Sequence, residues 1–219
     1  MRFVPLYTAD ALVLRTYKLG EADRIVVFLT RDRGKKRGVA KGARRPRSRF
    51  TGALEPLTEV RVAYFEKERR ELVGLNYAET HRSPLTLSNQ DALGYIEYFA
   101  ELLDEWAQEA DADDRLYRLG ASMLDALAAG APVEPLARYF EYWLLRLQGV
   151  YPESRGTLSD AAMAFLTTAR SVAPQQVGGM PATTRVLREL ETVHRALIAT
   201  HLEKTLKSDR VLRDLRRHP

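Results

Sequence analysis

"DRIVVFLTRDRGKKRGVAKG", residues 23–42, decides the fold of the first part of the chain. It opens with the β-branched and aromatic run Ile25–Leu29. It then turns through Arg31-Asp32-Arg33-Gly34 and resumes as a shorter run. This is the pattern of two strands joined by a hairpin, with Gly34 free to take a positive φ. Similar runs lie on either side. "DALVLRTYKL" (10–19) sets Ala11, Val13 and Arg15 against Leu12, Leu14 and Thr16. "TEVRVAYFEK" (58–67) sets Val60, Val62 and Tyr64 against Arg61, Ala63 and Phe65, and "RELVGLNYAET" (70–80) follows. Period-two alternation between turn residues predicts about five strands before His81. Five short strands in some 80 residues predict a small closed barrel, because closure removes exposed strand edges.

The period changes at "HRSPLTLSNQD" (81–91). Pro84 ends the strand region, and Ser88 or Asn89 is placed to cap a helix. Leu93, Ile96, Phe99 or Ala100, Leu103 and Trp106 then recur at helical spacing. A second helix, "RLYRLGASMLDALAAG" (115–130), stops at Gly130, and a third, "PLARYFEYWLLRLQG" (135–149), at Gly149. Ser159 caps a short helix over 160–170, 171–182 reads as a loop, and a last helix spans about 184–207. The expected fold is α+β, with a five-stranded barrel over 1–82 and an all-helical domain over 83–219.

Charge is distributed unevenly. Between Arg31 and Arg49 there are ten Lys or Arg and one Asp, a local charge of +9. The whole 219-residue chain carries only +5, so the remainder is net acidic. Nine acids and no Lys or Arg lie between Asp91 and Asp114. Like charges this close repel unless a partner neutralises them, so the basic run points to a polyanion. Arg adds a planar fork that holds phosphate bidentately or stacks on a base. Pro46 restrains Arg45 to extended conformations. Tyr17, Phe28, Phe50, Tyr64 and Phe65 are the nearby aromatics. Phe28 and Phe65 are assigned to the core, and Tyr17 is the better candidate for stacking.

Other chemistry finds little support. The chain has no cysteine, which removes disulfides, thiolate metal sites and thiol nucleophiles. The first twenty residues do not read as a signal peptide, and no apolar run is long enough to span a bilayer. Gly34-Lys35 is no phosphate-binding loop, because Leu29 stands where the first glycine belongs and Lys36 where Ser or Thr is needed. His194 and His201 are two turns apart on the last helix, could not share one metal without other ligands, and read as hydrogen-bonded residues at a helix seam. Glu97, Glu101, Asp104 and Glu105 read as the solvated face of an amphipathic helix.

"VLRTYKLGEADRIVVFLTRDRGKKRGVAKGARRPRSRFTGALEPLTEV" (13–60) closely resembles the N-terminal domain of the RecO family of bacterial recombination mediators. "YFEYWLLRLQGVYPE" (139–153) resembles that family's central helix, and "HLEKTLKSDRVLRDL" (201–215) its C-terminal segment. The resemblance implies an OB-type barrel followed by a helical domain. It also implies binding of single- and double-stranded DNA, annealing of complementary strands, no catalysis and a cytoplasmic, nucleoid-associated location. The implied partners are RecR and single-strand binding protein, with help in loading RecA onto coated DNA. The basic positions that match the family are Arg31, Lys35, Lys36, Arg37, Lys41, Arg44, Arg45, Arg47 and Arg49. Many members carry four zinc-binding cysteines after the central helix. Here 151–183 is a shortened, cysteine-free connection, and no structural zinc and no cofactor are expected. Arg115, Arg118, Arg138 and Arg146 are candidate rim residues for an acidic, apolar-ended peptide tail. Two rival readings are an RNA-binding barrel module and a metal-dependent nucleic-acid-processing enzyme using Asp104 and Glu105.

Overall fold

The computed structural model describes residues 5–66, 71–86, 92–152, 158–204, 206–208 and 212. Five strands form: β1 (Leu6–Leu19), β2 (Asp23–Thr30), β3 (Gly34–Ala40), β4 (Glu59–Phe65) and β5 (Val73–Arg82). They close in the order β1-β2-β3-β5-β4, with β4 returning to β1. All pairings are antiparallel except β3 with β5, which run parallel through Gly38↔Val73 and Val39↔Gly74. That single parallel contact completes the barrel of the OB type. β1 is long enough to pair with β4 through its first half and β2 through its second. Leu14 is the extra residue of a bulge between Val13 and Arg15. There Leu57 N–H donates to the Val13 carbonyl at 2.7 Å, and Val13 N–H donates to the Thr58 carbonyl at 2.9 Å. The bulge bends the strand so that it can serve two neighbours.

The barrel interior holds Ala11, Val13, Val26, Phe28, Val62 and Tyr64 among others. Burial is the first cause that pushes the Tyr64 hydroxyl up to about 12. Leu12 and Leu29 lie outside that cluster yet are fully buried, at 0% and 1% exposure. Residues 100–121 supply cover for Leu12, because they form one compact unit with residues 1–87. A Cβ on Gly120 would stand 2.7 Å from side-chain carbons of both Leu103 and Leu12, so a larger residue there would force these two leucines to shift.

The second compact unit comprises 88–99 and 122–219. The helices are α1 (Ala92–Trp106), α2 (Asp114–Ala128), α3 (Val133–Leu147), α4 (Asp160–Ala169) and α5 (Thr184–Leu202). Two of the three unit boundaries fall inside helices, 99/100 in α1 and 121/122 in α2. Ser159 caps α4 as expected, its side chain accepting from Ala162 N–H. α5 stops at Leu202, short of 207, because Glu203 takes a left-handed φ of 53°. A 3₁₀ segment, Pro174–Gly179, forms where a plain loop is expected. Capping by Ser88 or Asn89, and His218, lie outside the described residues. Among the described residues no helix is long and apolar enough to cross a membrane.

A buried polar network holds α3 to α5. Glu141, fully buried, accepts from Tyr98 at 2.6 Å, from Arg138 at 2.8 Å and meets His194 Nδ1 at 3.0 Å. Burial opposes ionisation of Glu141, but the Arg138 guanidinium and the hydrogen bonds from His194 and Tyr98 outweigh it and hold its carboxyl low. His194 therefore fills the seam role read from the sequence, while His201 is exposed.

Candidate nucleic-acid interface

The nine basic positions fall into two groups. The first group is neutralised within the molecule. Lys35 Nζ meets Asp104 Oδ1 at 3.2 Å and the Asp104 carbonyl at 2.6 Å. Lys36 pairs with Glu66 at 3.0 Å, and Arg31 with Asp114 at 2.7 Å. Arg15, outside the basic run, adds a contact to Asp104 at 3.1 Å. The backbone joins in: Lys35 N–H donates to the Gln108 carbonyl at 2.9 Å, and Ala110 N–H to the Lys35 carbonyl at 3.4 Å. Segment 107–113 thus lies along the start of β3. A Cβ on Gly34, whose φ is +67°, would stand 2.5 Å from the Asp111 backbone. Asp104 is therefore no solvated face residue, and neither is Glu101, which is 9% exposed.

The second group is Arg37, Lys41, Arg44, Arg45, Arg47 and Arg49. All six are exposed, and none meets a carboxylate among the described residues. Arg37 projects from β3, opposite Val27 of β2. The other five lie on or beside the connection from β3 to β4, residues 41–58. That connection is built as successive tight turns. Arg45 N–H bonds the Gly42 carbonyl, Ser48 N–H that of Arg45, Thr51 N–H that of Ser48, and Ala53 N–H that of Phe50. Arg47 takes a left-handed φ of 59° within this ladder, which costs energy for a side-chain-bearing residue.

Two anchors hold the connection. Phe50, Ala53 and Leu54 insert into the barrel core. On the other side, Gly42 N–H donates to Asp23 Oδ1 at 2.8 Å and Arg44 N–H to the Ala22 carbonyl at 2.9 Å. The Arg44 guanidinium also donates to the Gly20 carbonyl at 2.9 Å. These bonds explain the Gly20-Glu21-Ala22-Asp23 step, since its backbone and Asp23 receive the basic connection. Arg49 lies over the Phe50 ring at 5.0 Å. The cations are therefore presented from a fixed scaffold, which lowers the ordering cost of binding.

Of the aromatics singled out in the sequence, Phe28, Phe50 and Tyr64 are core, and Phe65 is only half-buried. Tyr17 is 42% exposed. It stands opposite Ile25 of β2, which stands opposite Val39 of β3. Sequence reasoning missed this half-exposed apolar row, although the alternation in each strand carries its signal. The candidate rim arginines fare unevenly. Arg138 is 2% exposed and bound to Glu141, so it cannot line a surface groove. Arg118 pairs with Asp114 at 2.9 Å.

Zinc does not fit the residues present. No thiolate exists anywhere in the chain, and 151–169 contains no histidine. His194 is committed to Glu141 and to Tyr151, whose hydroxyl is 3.3 Å from Nε2. Among the described residues no group of three or more His, Cys, Asp or Glu is arranged to hold a metal ion.

Comparison with known proteins fits this geometry. The models described as "Recombination protein O N terminal" and "Recombination protein O C terminal" match residues 1–84 and 87–157. A DNA repair protein RecO of a Nocardioides species is 37% identical over 244 residues, covering 93% of this chain and 97% of that protein. The chain belongs to the RecO family. A DNA repair protein RecO of Koribacter versatilis is 41% identical over 152 residues, 68% of this chain. One from an Anaeromyxobacter species is 40% identical over 144 residues, 64% of this chain. The matches span only 61% and 56% of those two RecO proteins. The stretch 1–60, which holds both anchors of the basic connection, lies inside the N-terminal RecO match.

Proposed function

We propose that the chain is a DNA-binding recombination mediator acting in DNA repair. On this reading it anneals complementary single strands and, with RecR, helps place RecA on DNA coated by single-strand binding protein. The observation that carries the proposal is the set of six exposed, uncompensated cations, five of them on or beside an anchored connection of the barrel and Arg37 on β3. Such a surface tracks phosphates and releases their counterions, and so it screens the repulsion between two strands. Tyr17 offers a face for an unpaired base, a contact that tolerates any sequence. Double-stranded DNA engages the same cations through its phosphates alone. RecR and the acidic tail of single-strand binding protein are the proposed protein partners.

A metal-dependent enzyme is the weaker reading for a stated reason. Asp104, the carboxylate it would use, is already held by Lys35 and Arg15. An RNA-binding role would need a reader of the 2′-hydroxyl, and competition between matched RNA and DNA strands separates the two.

The test is fluorescence anisotropy of a labelled single strand over a salt series. Wild type is compared with the variant carrying Arg44→Ala, Arg45→Ala, Arg47→Ala and Arg49→Ala. Loss of four phosphate contacts should make the slope of log K against log salt shallower by about 2–3. Equal slopes for the two proteins would refute the assignment.

A further inference from the structure

Within the helical unit, two guanidinium groups converge on one uncharged acceptor. Arg146 Nη1 lies 3.1 Å from the Tyr142 hydroxyl oxygen, and Arg170 Nε lies 2.6 Å from the same atom. These lengths bring the two nitrogens within about 6 Å of each other, and both residues are exposed, so the two like charges face solvent together. Neither arginine meets a carboxylate among the described residues. Both stand at helix C-termini, Arg146 in the last turn of α3 and Arg170 as the cap of α4. Helix ends favour cations there. Yet the side chains turn to the phenol rather than to terminal carbonyls. Tyr142 is fully buried, which fixes the oxygen on which both forks rest. Arg146 is steadied further, lying 5.7 Å from the Tyr142 ring centre and 5.9 Å from that of Trp143. Trp143 is itself held by its indole N–H, which donates to the Ala169 carbonyl at 3.1 Å, and it stays half-exposed.

We propose that Arg146 and Arg170, braced by Tyr142, form an oxyanion clip that takes a backbone phosphate of a second nucleic-acid strand, with Trp143 beside it for a base. Two planar forks at this spacing suit a tetrahedral oxyanion that accepts from both. The phenol supplies no charge, so the pair keeps its positive potential. The half-exposed indole favours a nucleotide over a bare carboxylate, since every base has a face to lay on it. The proposal rests on the reading of the chain as a strand-annealing protein, because annealing requires that two strands be held at once.

The experiment uses the full chain. It is first saturated with an unlabelled oligothymidylate, and a labelled, non-complementary oligonucleotide is then titrated while its anisotropy is followed. Wild type should capture the second strand. Arg146→Ala/Arg170→Ala should weaken that capture at least about tenfold and make its salt slope shallower by about one, with first-strand affinity unchanged. Tyr142→Phe keeps the ring and removes the brace, and should weaken capture by less. A thermal melt of each variant checks folding. Unchanged second-strand capture in a folded double variant would overturn the clip, as would a wild type that holds one strand only. A labelled acidic peptide that binds through these two arginines while the second strand does not would also overturn it. If wild type fails to bind even the first strand, the proposed function itself falls, and the two failures are thereby told apart.

Discussion

The start of β3 and the connection that follows it carry the same residue types a few positions apart, yet their cations do different work. Lys35, Lys36 and Arg31 close ion pairs with Asp104, Glu66 and Asp114. Arg37, Lys41, Arg44, Arg45, Arg47 and Arg49 close none among the described residues. Arg31 and Lys35 join residues 100–121 to the barrel and Lys36 pairs with Glu66 beside β4, whereas the second set faces outward, Arg37 from β3 and the other five from a braced connection. A basic run is thus not a uniform binding patch. Part of it is spent on folding, and the remainder is what a polyanion can meet.

This contrast can be broken or sharpened by mutation. The largest effect on stability is expected where a paired cation is deepest. Glu141→Gln leaves the buried Arg138 with only its longer, 3.5 Å contact to Glu191 and should cost about 3 kcal/mol in a denaturant titration. The same pair sets the acid limit. Because the carboxyl of Glu141 is depressed from its ordinary 4.5, its contribution is complete above that pH. It is lost as pH falls through the lower folded value. Acid melts of wild type should therefore steepen below pH 4.5, and those of Glu141→Gln should do so less.

Phe50→Ala removes an anchor of the free cations without touching their charge. It should cost about 3 kcal/mol by cavity formation and also weaken DNA binding, because the connection loses its support. A variant that melts early but binds DNA with unchanged affinity would show that anchoring is irrelevant to binding. Lys35→Ala comes next. It breaks a mostly buried pair and should cost about 1–2 kcal/mol, with little change in the salt slope of DNA binding. A marked loss of slope in Lys35→Ala would place that residue among the phosphate contacts instead. The smallest effect is expected from metal removal. A chelator should leave the melting temperature unchanged, and metal analysis should find no stoichiometric zinc; one zinc per chain would contradict this.

The strands were readable because β1 and β4 alternate with a period of two, β2 is a β-branched and aromatic run, and Gly34 marks the β2–β3 hairpin. The parallel pairing of β3 with β5 was not, since alternation says which residues share a face but not which strand lies beside it. The bulge at Leu14 was hidden for the same reason. The role of 100–121 was obscured by a physical ambiguity. Asp104 and Glu105 fall on the polar face of an amphipathic helix, and that pattern is the same whether water or Arg15 and Lys35 covers it. Burial of Arg138 was equally hidden, because Glu141 three residues on is an ordinary helix pair until α5 covers both. Among the nine basic positions, the division into spent and free cations required the partners to be located.

The most direct measurement is the single-strand anisotropy salt series on three proteins: wild type, Lys35→Ala and the quadruple Arg44, Arg45, Arg47 and Arg49 alanine variant. The account predicts that the quadruple variant loses no more than about 1 kcal/mol of stability, chiefly from the exposed Arg44–Gly20 bond, and loses about 2–3 from the salt slope. It predicts the reverse for Lys35→Ala, a lower stability with the slope kept. A quadruple variant with the wild-type slope, or a Lys35→Ala variant that loses slope without losing stability, would contradict the division on which the account stands.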